Sequence, residues 1–407
     1  MRPPDRANDA AFDLVAVGDI SLGDAAQGVG AGVHATFERL GNANPRYPFE
    51  HTAKMFAGAG IVFGNLETVI SHTGLVRSRA SSLEMRGHPD AADRLAASGF
   101  TVLNVANNHM MQHGPAAFAE TVAALRRRDI AVVGEADSSH RATIPQVVTV
   151  NGLRVCFLGF AFEPDKYWTG PLGYAFGPDC DMLGQVKLAR QSSDLVICSV
   201  HWGVEFVRHP AMAEEELGRQ LIDAGADVVL GHHPHVVRRI DRYGRGVIVY
   251  SLGNFVFDQL WDRWLRTGMV LRLRLSKQGV EAVNVDWTWI GDDYQPRVMA
   301  GEEHRAAVDA FATLEQRPEW VSRDEDYTQH YEELVAKNRY ESYRHFVRNL
   351  RRRPVTYTVQ TLLQTARRKA AGVLPSRSPS SQLRGATGTE RKRVEVARRG
   401  AGGPADK

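Results

Sequence analysis

Short apolar runs rich in β-branched residues alternate with segments of helical period through the first two-thirds of the chain, which is the pattern of an α/β fold. Strands are predicted at 13–19 (DLVAVGD), 61–67 (IVFGNLE), 100–109 (FTVLNVANNH), 130–133, 145–150, 153–160, 194–203 (DLVICSVHWG), 226–233 (ADVVLGHH), 235–241 (HVVRRID) and 246–255 (GVIVYSLGNF). Helices are predicted at 48–58, 89–98, 115–128, 182–192 and 211–224. The helix at 115–128 begins on Pro115 and ends on Arg128, residues suited to a helix start and a last turn. Segments 270–276 and 280–290 alternate with period two and are predicted to finish the sheet as antiparallel strands.

The pattern changes near residue 300. Two basic amphipathic helices are predicted, at 326–351 and 355–371, and a Ser-, Gly-, Pro- and Arg-rich tail begins at Leu374. The expected organisation is a disordered N-terminus (1–12), one large α/β domain (13–300), a helical basic extension (301–373) and a disordered tail (374–407). Arg351, Arg352 and Arg353 read first as a solvated helix face, with weak contact to an anionic membrane as the sharper alternative.

Composition narrows this picture. An apolar share of 43% in 407 residues is enough to bury a sizeable core. A net charge of +3, with much of the excess near the C-terminus, argues against a specific nucleic-acid binder. Cys156 and Cys198 sit in apolar runs and, with Cys180, form no CxxC pair, which fits a reducing compartment. The chain as given carries no signal-type apolar segment and no membrane-length run, so a cytoplasmic location is expected.

Polar residues cluster where the apolar runs end. Asp19, Asn65 with Glu67, Asn107–Asn108–His109, His201, and His232–His233–Pro234–His235 each close a predicted strand. In open α/β sheets the carboxyl ends of the strands are where ligands bind. Carboxylate, amide oxygen and imidazole without thiolate suit Mn, Fe, Zn or Mg. The GHHPH motif is the sharpest signal, because His233 and His235, one residue apart, can reach adjacent cations. Asn108 offers an amide oxygen, and His109 is placed to face substrate. Asn254 and Trp202 are candidates for shaping the cleft, and the loop 163–180 for covering it.

The series VGD, GNLE, ANNH, HWGVEF, GADVVLGHHPHVV and YSLGNFVFD, spread over residues 13–258, resembles the CapA family, linked to poly-γ-glutamate capsule synthesis. That family is similar in turn to the calcineurin-like metallophosphatases. The resemblance implies a four-layer α/β/β/α sandwich of two mixed sheets and two divalent cations. It implies as ligands Asp19, Glu67 (or Asn65) as the bridging group, Asn108, His201, His233 and His235, with His109 as the catalytic imidazole beside Asn108. Asn65, Asn107, Trp202, Glu205, His232 and Asn254 are implied as supporting or substrate-facing residues. The implied activity is a metal-activated hydroxide attacking a phosphoester or amide-type bond. The alternative is a non-catalytic accessory protein that binds a polyanionic polymer during capsule synthesis or export. The chain departs from the pattern in three places, one being the displaced G-D-x-x-D/E carboxylate, with Asn65 after the glycine and Glu67 two further on. Ser21 stands where the metallophosphatase D-x-H histidine would be, and Gln112 where CapA-like chains carry aspartate.

Overall fold

Phe12–Ile20 is buried along almost its whole length, as a central strand covered on both faces must be. The computed structural model describes residues 11–40 and 43–370. The expectations for residues 1–10 and for the tail 374–407 lie outside the described residues. Phe12, assigned by pattern to the N-terminal segment, already pairs with Leu275. In chain order the first strands are β1 (Phe12–Ile20), β2 (Ile61–Leu66), β3 (Val69–Ile70), β4 (Arg86–Gly87), β5 (Val102–Asn104), β6 (Ala131–Val133), β7 (Gln146–Val150) and β8 (Leu153–Ala161). They continue with β9 (Leu195–His201), β10 (Val228–His232), β11 (Ile240–Tyr243), β12 (Gly246–Val249), β13 (Asn254–Val256), β14 (Thr267–Ser276), β15 (Gly279–Ile290) and β16 (Pro296–Val298). The helices are α1 (Val33–Leu40), α2 (Ala80–Leu83), α3 (Ala91–Ser98), α4 (Gly114–Arg126), α5 (Met182–Ser192), α6 (Met212–Asp223), α7 (Gly301–Ala312), α8 (Asp324–Arg348) and α9 (Val355–Ala370).

Two mixed sheets result. The first runs β16-β15-β14-β1-β2-β5-β6, with β13 also pairing β1, and the second runs β11-β12-β10-β9-β8-β7. Alternate residues of β1 serve opposite faces. Leu14 and Ala16 meet Val155, Phe157, Ile197 and Leu230 between the sheets. Val15 and Val17 share a core with Phe37 of α1, Leu95 of α3 and Phe118 of α4. On the far side of the second sheet, Leu158, Cys198 and Val229 pack on Val186 of α5 and Leu221 of α6. The order of layers is therefore α/β/β/α, as the resemblance implies. Phe63 and Phe157 stack across the middle with ring centroids 5.9 Å apart, worth about 1 kcal/mol beyond area burial. Among the described residues no helix is long and apolar enough to cross a membrane, and the three cysteines are free, Cys156 and Cys198 being buried.

Three elements differ from expectation. The segment 48–58 forms turns and a 3-10 turn at Ala53–Phe56 in place of a helix. Phe49 and Phe56 both pack on Phe100 and Phe255, and so short a segment follows those contacts over its weak propensity. The stretch 235–241 becomes a strand only at Ile240, because His235 takes φ 60° and Arg238 turns inward onto the carbonyls of Val204 and Val207. The run 246–255 is two strands in different sheets. β12 pairs β10, then residues 250–253 cross to the other sheet and β13 pairs β1.

That crossing depends on glycine twice. Gly253 has φ 72°, and its carbonyl accepts the Asp19 amide at 2.9 Å. A Cβ on Gly18 would stand 1.8 Å from that same carbonyl oxygen. Gly18→Ala is expected to cost about 3 kcal/mol by denaturant titration, since backbone rather than a side chain must yield. Unchanged stability would show that the crossing relaxes freely.

Candidate metal centre

Register decides which side chains meet. On the first sheet Asp19 lies opposite both Asn254 of β13 and Asn65 of β2, and Asn65 lies opposite Asn104 of β5. On the second sheet His201 of β9 lies opposite His232 of β10. Asn104, His201 and His232 are the last residues of their strands, Asp19 and Asn65 stand one short of the end, and Asn254 opens β13, so the two rows face one cleft at the carboxyl edge of β1, β2, β5, β9 and β10.

Glu67 sits at the centre. Its side chain is fully buried, and Oε1 has no hydrogen-bond partner. That atom lies 3.7 Å from His235 Nε2, 3.8 Å from His109 Nε2 and 4.0 Å from His201 Nε2. Asp19, Glu67 and His235 each place a ligand atom within 4.8 Å of the others, and so do Glu67, His201 and His233. Glu67 belongs to both sets, which is the placement a group shared by two cations needs. Glu205, His233 and His235 form a third set at the rim. Asn108 Oδ1 meets His201 Nε2 at 2.9 Å, and so joins the second set. The donors are oxygens and imidazoles, one buried carboxylate oxygen is orphaned among them, and His233 Nδ1 is orphaned too. These residues fit divalent cations.

The supporting contacts hold each donor in place. Asn254 Oδ1 lies 3.0 Å and Asp19 Oδ2 3.3 Å from His235 Nδ1, so the ring proton sits there and Nε2 faces Glu67. Asn65 donates to Asp19 Oδ1 at 2.8 Å, and its own oxygen accepts from Asn104 (2.9 Å) and Asn107 (3.3 Å). His232 Nδ1 lies 3.3 Å from Asp19 Oδ1. His233 and His235 have φ 97° and 60°, a left-handed backbone that persists only where neighbours enforce it. The turn is gripped by His233 N donating to Asp19 Oδ2 and Phe206 N donating to the Pro234 carbonyl.

Of the residues singled out from sequence, Asp19, Asn65, Glu67, Asn107, Asn108, His109, His201, Glu205, His232, His233, His235 and Asn254 are gathered around this cleft. Trp202 is not. Its indole donates to the Tyr250 carbonyl at 3.1 Å, and its ring packs in the core under α5 and α6. A side chain next to His201 on a strand points to the opposite face, which explains the difference. Asn104 was overlooked, although a lone amide inside the apolar run FTVLNV was its signal. The loop 163–180 is tied to the segment that follows His109, with Asp165 Oδ2 accepting the Met111 amide at 3.0 Å, and to Glu84 through Tyr167 at 3.3 Å.

Electrostatics follow from burial. Burial, then the charges of Asp19 and Glu205, push the Glu67 carboxyl well above its ordinary range. Burial would raise Asp19 as well, but hydrogen bonds from His232 and His235 outweigh it and hold Asp19 well below the usual value. Burial and neighbouring imidazoles keep His201 and His233 far below theirs, which favours neutral rings with a free lone pair.

An α/β/β/α sandwich with a buried histidine–carboxylate centre at the strand ends is the class that fold and site define. Residues 13–259 match the family described as Bacterial capsule synthesis protein PGA_cap, and the chain belongs to that family. The capsule biosynthesis protein CapA of Bacillus anthracis is 33% identical over 249 residues, covering 59% of this chain and 60% of that protein. The PGA biosynthesis protein CapA of Bacillus subtilis (strain 168) is 31% identical over 241 residues, covering 57% and 62%. The chain thus spans about three-fifths of the length of these curated relatives. Among solved structures, a hypothetical protein from Thermus thermophilus aligns with TM-score 0.41 at 13% identity, over 68% of this chain and 98% of that one.

Because burial and neighbouring charge raise the Glu67 carboxyl, an entering cation competes with a proton there. Metal affinity is therefore expected to rise with pH above the ordinary carboxylate range, by up to about tenfold per pH unit for each proton released. Calorimetry in two buffers of different ionisation enthalpy reads that release. Glu67→Gln should abolish both the release and most of the binding. Full metal content in Glu67→Gln and in His233→Ala would dismiss the centre.

Proposed function

We propose that this protein is a metal-dependent hydrolase that cleaves a phosphoester or amide-type bond of an anionic substrate in capsule-polymer synthesis. One observation carries the reading: the orphaned, fully buried Glu67 oxygen stands among imidazoles that arrive from β9, the turn after β10 and the loop after β5. A merely structural polar cluster would satisfy that oxygen. Two cations held by Asp19, Glu67, Asn108, His201, His233 and His235 would supply Lewis-acid charge and bring the pKa of water toward neutrality.

His109 is the substrate-facing imidazole in this reading. It exposes 21% of its side chain, against 0–2% for Glu67, His201 and His235. Gln112 Oε1 lies 3.3 Å from His109 Nδ1 and takes its proton in hydrogen bond, which leaves Nε2 toward the cleft. Burial lowers His109 to about 4, and the amide of Gln112 offsets only part of that. At neutral pH His109 is thus neutral, an acceptor at Nε2 more than a proton donor. Lys166, exposed on the loop above, bears electrostatically on both His109 and His233, which favours an anionic substrate.

A second reading rests on Ser21. Its buried hydroxyl reaches Met85 Sδ at 4.0 Å and adds no imidazole to the first donor set. A centre one donor short suits an accessory protein that grips a polyanionic polymer without cutting it.

The deciding assay is turnover of bis(p-nitrophenyl) phosphate and γ-glutamyl p-nitroanilide with Mn²⁺, Zn²⁺, Fe²⁺ or Mg²⁺. Activity that falls at least a hundredfold in Glu67→Gln supports the hydrolase. Silence with every metal, together with tight polyglutamate binding, supports the accessory role. Gln112→Asp places a negative charge beside His109 and should move its titration upward by NMR, extending activity to higher pH wherever imidazolium donates a proton. An unmoved His109 titration would show that Gln112 does not govern it.

A further inference from the structure

A second cavity of about 310 Å³ opens away from the metal centre. It lies between the glycine-rich loop that follows β1, the segment after β13 and the corner between α8 and α9. Its size falls within the range of small-molecule pockets. Two of its wall groups are left incomplete. Arg353, 6% exposed, donates Nη2 to the Val29 carbonyl at 3.4 Å and lies 4.5 Å over the Phe346 ring, but its Nε and Nη1 have no partner. Asp258, also 6% exposed, accepts the Ala25 amide on Oδ2 at 2.8 Å, and its Oδ1 has no partner.

The loop is shaped around these acids. A Cβ on Gly28 would stand 2.1 Å from Asp258 Oδ2, and one on Gly32 would stand 2.5 Å from it and 2.6 Å from Asp24 Oδ1. Asp24 spends both oxygens on the amides of Gly30 and Ala35, so it closes the loop and offers nothing to the cavity. Arg266 is engaged by Asp292 at 2.8 Å. Arg348 and Arg352 stand exposed on the rim and form no ion pair among the described residues.

A buried guanidinium with two idle donors and a buried carboxylate with one idle acceptor line the same cavity without touching. Leaving each unmet costs the full desolvation of the group. The occupant that satisfies both carries an oxyanion for Arg353 and an N–H donor for Asp258. A guanidinium prefers a planar carboxylate taken by two donors, and the rim arginines add charge of the same sign. The geometry points to a binding pocket for an α-amino or α-amido carboxylate, as in a free amino acid or one residue of an amide-linked acidic chain. Its carboxylate faces Arg353 and its nitrogen faces Asp258. This site is independent of the metal centre and of the reaction proposed there.

Trp261 lines the cavity and reports on it. Full-length protein with excess chelator, which silences the metal centre, is titrated with glutamate, tri-γ-glutamate and acetate by calorimetry and tryptophan fluorescence. Saturable binding of glutamate or tri-γ-glutamate is expected, at least tenfold tighter than acetate, which lacks the N–H. Arg353→Gln and Asp258→Asn should each weaken it at least tenfold while metal content stays at the wild-type level. Should Arg353→Gln fail to fold, the rim variant Arg348→Ala/Arg352→Ala is expected to weaken binding a few-fold. Absence of saturation at tens of millimolar would overturn the pocket, leaving a water-bridged structural pair. Equal affinity for acetate and glutamate, or affinity untouched in folded Asp258→Asn and rim variants, would overturn it equally.

Discussion

A carboxylate oxygen sealed from water with nothing to accept is costly, and in this protein that atom is Glu67 Oε1. Three imidazole nitrogens within 4.0 Å surround it, each delivered by a different piece of chain. Cations placed between that oxygen and the nitrogens would satisfy both at once. Burial and the nearby Asp19 otherwise push the Glu67 carboxyl well above its ordinary range. Much of the surrounding architecture serves that point. β1 must bring Asp19 beside Asn254 and Asn65 near its end, and β9 and β10 must end together at His201 and His232. The His233–His235 turn must accept a left-handed backbone to aim its rings.

The same constraint explains what could be read from sequence. Polar residues that close apolar runs stand out, so Asp19, Glu67, Asn108, His109, His201, His233 and His235 were legible as a set, and the two-sheet sandwich with them. Residues whose meaning depends on direction were not. Trp202 adjoins His201 in the chain, yet strand alternation sends it into the helical layer. Asn104 hides inside a buried strand, where only its register with Asn65 reveals its use. The run 246–255 has no break in hydrophobicity, because both halves are core strands. What divides it is the approach of Gly18 to the Gly253 carbonyl, a steric fact invisible to periodicity. Asp258 and Arg353 lie far apart in the chain and share no motif, so their cavity appears only once α8 has folded back.

The C-terminal extension bears on the centre more directly than its place in the chain suggests. The family match stops at residue 259, yet Tyr327 and Tyr331 of α8 pack on Val204, Val207 and Ala211, the loop that follows His201. Tyr327 also donates to the His209 carbonyl at 3.1 Å. From below, buried Arg238 ties the carbonyls of Val204 and Val207 to Glu214 of α6. The loop is thus clamped between α8 and the turn it serves. Through the Phe206 amide it grips Pro234, between His233 and His235. A helix outside the matched region therefore braces the backbone whose unusual dihedrals aim His233 and His235. Removing α8 would free that loop before it disturbed either sheet, so the extension belongs to the centre's mechanical support and is more than an appendage to the domain.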